Sequence, residues 1–122
     1  MRNDGFRRVT IFLAGLMGLF GVASAAAASH GADPRLLGGA SAMCLAHAPA
    51  LIGLYAAWPN LRTAGWAALL ISVGTTVFAA DLTLRHFASH GLFPMLAPIG
   101  GSLMMLGWLV IAAGAAFRPS AD

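Results

Sequence analysis

The sequence predicts an all-α membrane protein, an antiparallel up-down bundle of four transmembrane helices. Three observations lead there. Apolar residues make up 59% of the 122 residues and charged residues only 9%, against about a quarter charged in a typical soluble domain. Four apolar stretches each reach the roughly 20 residues that a helix needs to cross about 30 Å of hydrocarbon. The links between them are short and carry helix breakers, which places consecutive helices side by side and antiparallel. Helix is the expected form because backbone groups in lipid must bond within the segment. The alternation of a membrane barrel strand is absent.

The first helix is expected over residues 9–29, an apolar run that follows the basic cluster Arg2, Arg7 and Arg8. A rival reading treats the same layout as a secretory signal, with Ala23-Ser24-Ala25 as cleavage site. The apolar stretch runs past that site to Ser29, which suits a retained helix. His30-Gly31-Ala32-Asp33-Pro34-Arg35 leads to the second helix, over residues 36–58. Pro59 and Asn60 break the chain before the third, over residues 63–84. Arg85 to Pro94 connects to the fourth, over residues 95–117. One transmembrane domain accounts for the whole chain.

The formal charge of +3 comes from arginine alone, because the chain has no lysine. Arg2, Arg7, Arg8, Arg62 and Arg118 fall on one side of the bundle, and only Arg35 and Arg85 on the other. Arginine excess marks the cytoplasmic side, so both termini are expected in the cytoplasm. Basic residues at helix ends make no nucleic-acid face, and nucleic acid is not an expected partner. The single cysteine, Cys44, excludes an internal disulfide and reads as a small apolar core residue.

Helices in lipid associate by close packing of small residues. Gly15, Gly18 and Gly21 recur every three residues on the first helix, and Gly100, Gly107 and Gly114 every seven on the fourth. Both series are expected to form packing faces within the bundle, or a homo-oligomer seam. Trp58 and Trp66 suit an interfacial belt, whereas Trp108 lies deeper and reads as a packing residue.

Four ordered segments together resemble one known family. Gly15 to His30 is similar to its glycine- and alanine-rich first helix, and Ala46-His47-Ala48-Pro49-Ala50-Leu51 to its second-helix motif. Gly74 to Leu82 resembles the third-helix motif. Pro98-Ile99-Gly100-Gly101 followed by Gly107-Trp108 resembles the most specific pattern, Pro-Ile-Gly-Gly and then Gly-Trp. This is the domain of unknown function 423 family of small multi-pass membrane proteins, related to eukaryotic transmembrane protein 256. The resemblance implies four helices in the inner membrane with the first retained, and implies no activity. Asp81 stands where that family usually shows serine, and Thr83 where it shows tyrosine.

Few groups here carry chemistry. A carboxylate in a span costs on the order of 3 kcal/mol at mid-bilayer, so Asp81 is expected to pair with Arg85 one turn on, or to bind a proton or cation. His47 falls near mid-membrane, where each ring nitrogen needs a partner. A serine, threonine or backbone group is expected to supply it, with Pro49 freeing a carbonyl one turn earlier. His47, Asp81 and Arg85 form the candidate intramembrane polar site. His30, His86 and His90 are weaker candidates as metal ligands; His86 and His90 share a face if the third helix continues. No nucleophile triad, phosphate loop or carboxylate pair appears, so no enzyme activity and no cofactor are expected. The expected function is a structural or interaction module, with the lipid bilayer and other membrane proteins as partners. A small proton or ion transporter using Asp81 and His47 is second, and a metal- or haem-handling accessory protein third.

Overall fold

The computed structural model describes residues 4–91 and 93–117; Arg2 and Arg118, used in the orientation count, lie outside them. Within these residues the chain forms α1 (Asp4–His30), α2 (Arg35–Ala57), a short 3-10 turn (Trp58–Asn60), α3 (Ala64–Ala88) and α4 (Leu96–Ala116). All four α-helices are long and apolar enough to span a membrane. The shortest, 21 residues, reaches about 31 Å at 1.5 Å per residue.

Two boundaries differ from expectation by a turn or more. α1 starts at Asp4, five residues before Val9. Its first turns stay helical because Arg7 anchors them, donating from Nε and Nη2 to the Tyr55 carbonyl at 3.1 and 3.0 Å. α3 runs past Leu84 to Ala88, since the Asp81–Arg85 pair spans and supports that turn. It stops at Ser89, whose φ of 67° is left-handed and whose N–H closes on the Arg85 carbonyl at 3.0 Å. Pro34 precedes α2 and Pro59 opens the 3-10 turn, both where a ring without N–H ends or begins a helix at least cost. Pro49 stays inside α2, a tolerated place in a membrane helix.

Consecutive helices pack on one another, and the pairings fall in number on one helix as they rise on the next. Arg7 meets Tyr55, whereas Ser41 Oγ donates to the Gly21 carbonyl at 2.7 Å, across α1 and α2. On α3 and α4, Thr63 Oγ1 donates to the Val110 carbonyl at 2.8 Å, while Gly74 lies against Gly100. α2 and α3 form the centre, α1 packs on α2, α4 packs on α3, and α1 shares no packed face with α4 among the described residues. Leu51, Ile71, Ala40, Ala64, Ala67 and Ala68 fill the middle with no exposure.

The glycine stripes divide. Gly100, Gly107 and Gly114 are buried against α3: a Cβ at Gly100 would lie 2.7 Å from the Gly74 carbonyl oxygen, and one at Gly107 2.6 Å from Ile71 Cγ1. α1 instead buries Thr10, Ala14, Met17, Gly21, Ser24 and Ala28, an alternation of four and three that keeps one stripe on α2. Gly21 belongs to it, Gly18 touches Ala48 at its edge, and Gly15 faces outward with nothing near. A strict spacing of three drifts about 60° per step on a 3.6-residue helix, which is why Gly15 leaves the seam. Of the Pro98-Ile99-Gly100-Gly101 motif, Gly101 has nothing within reach of a Cβ and Pro98 is exposed, so of its two glycines Gly100 is the one packed on α3.

Candidate functional site

The polar side chains at membrane depth form two separate centres. The first is His47 on α2. Trp108 Nε1 donates to His47 Nε2 at 3.0 Å, and His47 Nδ1 lies 2.8 Å from the Met43 carbonyl. Indole N–H is only a donor, so Nε2 accepts, and Nδ1 carries the hydrogen given to Met43. Both ring nitrogens are thereby satisfied. The Nε2 partner is an indole on α4, where a serine, threonine or backbone group of a neighbouring helix was expected, and the Nδ1 partner is a backbone carbonyl of α2 itself. A tryptophan deep in a span needs an acceptor for its N–H, and that was the available signal.

The second centre lies near the far end of α3. Asp81 is fully buried, and Arg85 Nε donates to its Oδ2 at 2.9 Å. The guanidinium side chain remains 36% exposed, so the pair joins a buried carboxylate to a cation at the rim. Asp81 Oδ1 has no hydrogen-bond partner among the described residues. Gly91 closes over that oxygen: a Cβ there would collide with Asp81 Oδ1 and lie 3.0 Å from Arg85 Nε. Gly91 therefore roofs the pair, a role not legible in the sequence. Thr75 Oγ1 and Thr83 Oγ1 are also buried without a partner among the described residues.

The structure brings Asp81 and Arg85 together and keeps His47 apart from them. Gly39 on α2 packs beside Leu82, and His47 is eight residues further along α2, roughly 12 Å of helix. A single polar site of His47, Asp81 and Arg85, as expected from sequence, is not formed. The weak metal candidates are also dispersed. His30 ends α1 and is exposed. His86 meets the Phe87 ring edge-on at 4.8 Å, and exposed His90 lies 3.2 Å from the Gly91 carbonyl. Ser89 turns the chain out of the helix before His90, so the i, i+4 face does not persist. No three His, Cys, Asp or Glu side chains among the described residues converge as metal ligands.

The opposite end of the bundle carries a cluster of cations and aromatics. The Arg7 guanidinium lies 4.6 Å from the centre of the Tyr55 ring. Phe6 meets Trp58 edge-to-face at 5.6 Å. Trp66 is exposed. These rings and arginines are the residues expected at a membrane–water boundary.

A family profile described as "Protein of unknown function (DUF423)" matches residues 24–101. The chain belongs to the DUF423 family. The matched stretch includes His47, Asp81, Arg85 and Gly91. Trp108, the partner of His47, lies beyond it, as do Arg7 and Arg8 before it. No solved structure matches the chain. DUF423 membership fixes no reaction, so the chemistry rests on the two centres above.

Proposed function

We propose that this DUF423 protein is a non-catalytic module of the inner membrane, crossing it up-down-up-down with both termini in the cytoplasm. It associates with lipids and with other membrane proteins or further copies of itself through its outer faces. The observation that carries this is how its two membrane-depth ionisable side chains are held: His47 at both nitrogens, and Asp81 by Arg85 at Oδ2 beneath Gly91. Such groups hold a bundle together rather than open a path through it. The outer faces are correspondingly apolar. Only 17% of the α4 span and 28% of the α1 span are buried. An apolar groove of about 320 Å3 runs between α1 and α3, bounded by Leu13, Met17, Phe20, Cys44 and Ala79. Retention of α1 is supported by its packing, since its loss would strip the Ser41 hydroxyl of its acceptor and uncover Cys44. The lipid or protein held on these faces is identified by mild detergent extraction and mass analysis of what co-purifies. Recovery without any specific lipid or protein would contradict the proposal.

One observation favours a second function, a proton or cation carrier. Asp81 Oδ1 is buried without a partner among the described residues, and a carboxylate oxygen in that state can take a proton or cation. Purified protein in liposomes separates the two. The module gives no proton or ion flux above empty vesicles, whereas a carrier gives flux that Asp81→Asn abolishes.

A further inference from the structure

A polar depression of about 340 Å3 lies at the start of α1, lined by Asp4, Arg7, Arg8 and Tyr55. Its cations differ in state. Arg7 is immobilised, with two hydrogen bonds to the Tyr55 carbonyl and its plane over the Tyr55 ring. Arg8 is exposed and makes no hydrogen bond or ion pair among the described residues. Asp4, four residues before Arg8, is likewise without an ion pair among them. The depression therefore offers an exposed guanidinium, a fixed one and a carboxylate side by side. The Phe6–Trp58 pair and Trp66 put it at the level of lipid headgroups.

The face of α1 above it is apolar and open. Positions i, i+4, i+7, i+11 and i+14 from Arg8 fall on one side of a helix. They are Phe12, Gly15, Leu19 and Val22, with Phe12, Leu19 and Val22 all more than 60% exposed. Gly15 has nothing within 4 Å of a built Cβ, leaving a notch between Phe12 and Leu19. From Arg8 to Val22 the track is about 21 Å long, enough for one leaflet.

We propose that this face binds a zwitterionic phospholipid with an ammonium-bearing headgroup, a phosphoethanolamine. The phosphodiester accepts hydrogen bonds from Arg8 and from the free edge of Arg7. The ammonium pairs with Asp4, and one acyl chain lies over Gly15. Both headgroup classes present the same phosphodiester to the two arginines, but only the phosphoethanolamine adds an ammonium to pair with Asp4, and that selects the zwitterion. The proposal rests on the bilayer-spanning architecture, which is tested separately by loop accessibility.

The test uses the full-length protein in detergent, equilibrated with mixed micelles of phosphatidylcholine, phosphatidylethanolamine and phosphatidylglycerol, with retained lipid measured by native mass spectrometry. Phosphatidylethanolamine should be retained preferentially. Arg8→Gln should lower its retention about tenfold, the worth of one charge-assisted hydrogen bond, with an unchanged melting temperature because Arg8 makes no hydrogen bond or ion pair among the described residues. Asp4→Asn should turn the preference toward phosphatidylglycerol, and Gly15→Leu should weaken retention of every headgroup by filling the notch. Glycerophosphoethanolamine, the headgroup without chains, should fail to compete at equal concentration. Equal retention of the three lipids by the native protein, or retention insensitive to Arg8→Gln, would overturn the proposal. So would a native preference for phosphatidylglycerol, or equal competition by the chainless headgroup.

Discussion

Asp81 holds the steepest energetic position of any side chain here. It is fully buried and, among the described residues, depends on Arg85 for its one side-chain hydrogen bond. Arg85→Ala leaves that carboxylate uncompensated and should cost on the order of 3 kcal/mol, less where water reaches the Arg85 position. Asp81→Asn combined with Arg85→Ala should cost less than Arg85→Ala alone, measured by thermal unfolding in detergent. Gly91→Ala places a methyl group on Asp81 Oδ1 and should lower stability although the site is in a loop. His47 gives a spectroscopic readout instead: Trp108→Phe removes the donor to Nε2, at a cost of about 1 kcal/mol. The Nε2 chemical shift of His47 should then move as it loses its donor, while Nδ1 stays protonated on the Met43 carbonyl. An Nε2 shift unchanged by Trp108→Phe would contradict the assignment. The Asp81–Arg85 pair was legible in the sequence, because a spacing of four on a helix fixes proximity by itself. The Trp108–His47 bond was not, since it links residues 61 apart and depends on how α4 registers against α2 and α3.

At the scale of the element, glycines separate into those another helix needs and those it does not. Gly100→Ala and Gly107→Leu should disrupt the α3–α4 seam. Gly100→Ala drives a methyl group into the Gly74 backbone and should cost about 1–3 kcal/mol, as overpacking does. Gly101→Ala, one residue on, meets nothing and should be neutral or stabilising by up to about 1 kcal/mol, from helix propensity alone. The comparison is internal to one helix, so detergent and expression effects cancel. Equal costs at positions 100 and 101 would contradict the packing described. Hydropathy made all four helices legible, and the seven-residue spacing of Gly100, Gly107 and Gly114 pointed to a true seam. The three-residue spacing of Gly15, Gly18 and Gly21 misled, because it rotates off the contact line. Helix ends were less legible: the start of α1 depends on the Arg7–Tyr55 contact, and the end of α3 on the left-handed Ser89.

For the whole molecule, apolar surface dominates. Exposed Phe12, Leu19, Met105, Leu109 and Phe117 lie on the outer faces of the bundle, the surface that hydrocarbon or another membrane protein would cover. The proposed up-down topology would put the loop at Asp33 and the loop at His90 on one side of the membrane, and the turn at Arg62 on the other. The direct measurement replaces native Cys44, which is buried, with alanine and introduces Asp33→Cys, Arg62→Cys or His90→Cys singly. A membrane-impermeant thiol reagent is then applied to intact cells or sealed, right-side-out vesicles. Positions 33 and 90 should be labelled directly, and position 62 only after permeabilisation. Labelling of all three positions from the same side would contradict a chain that crosses the bilayer four times.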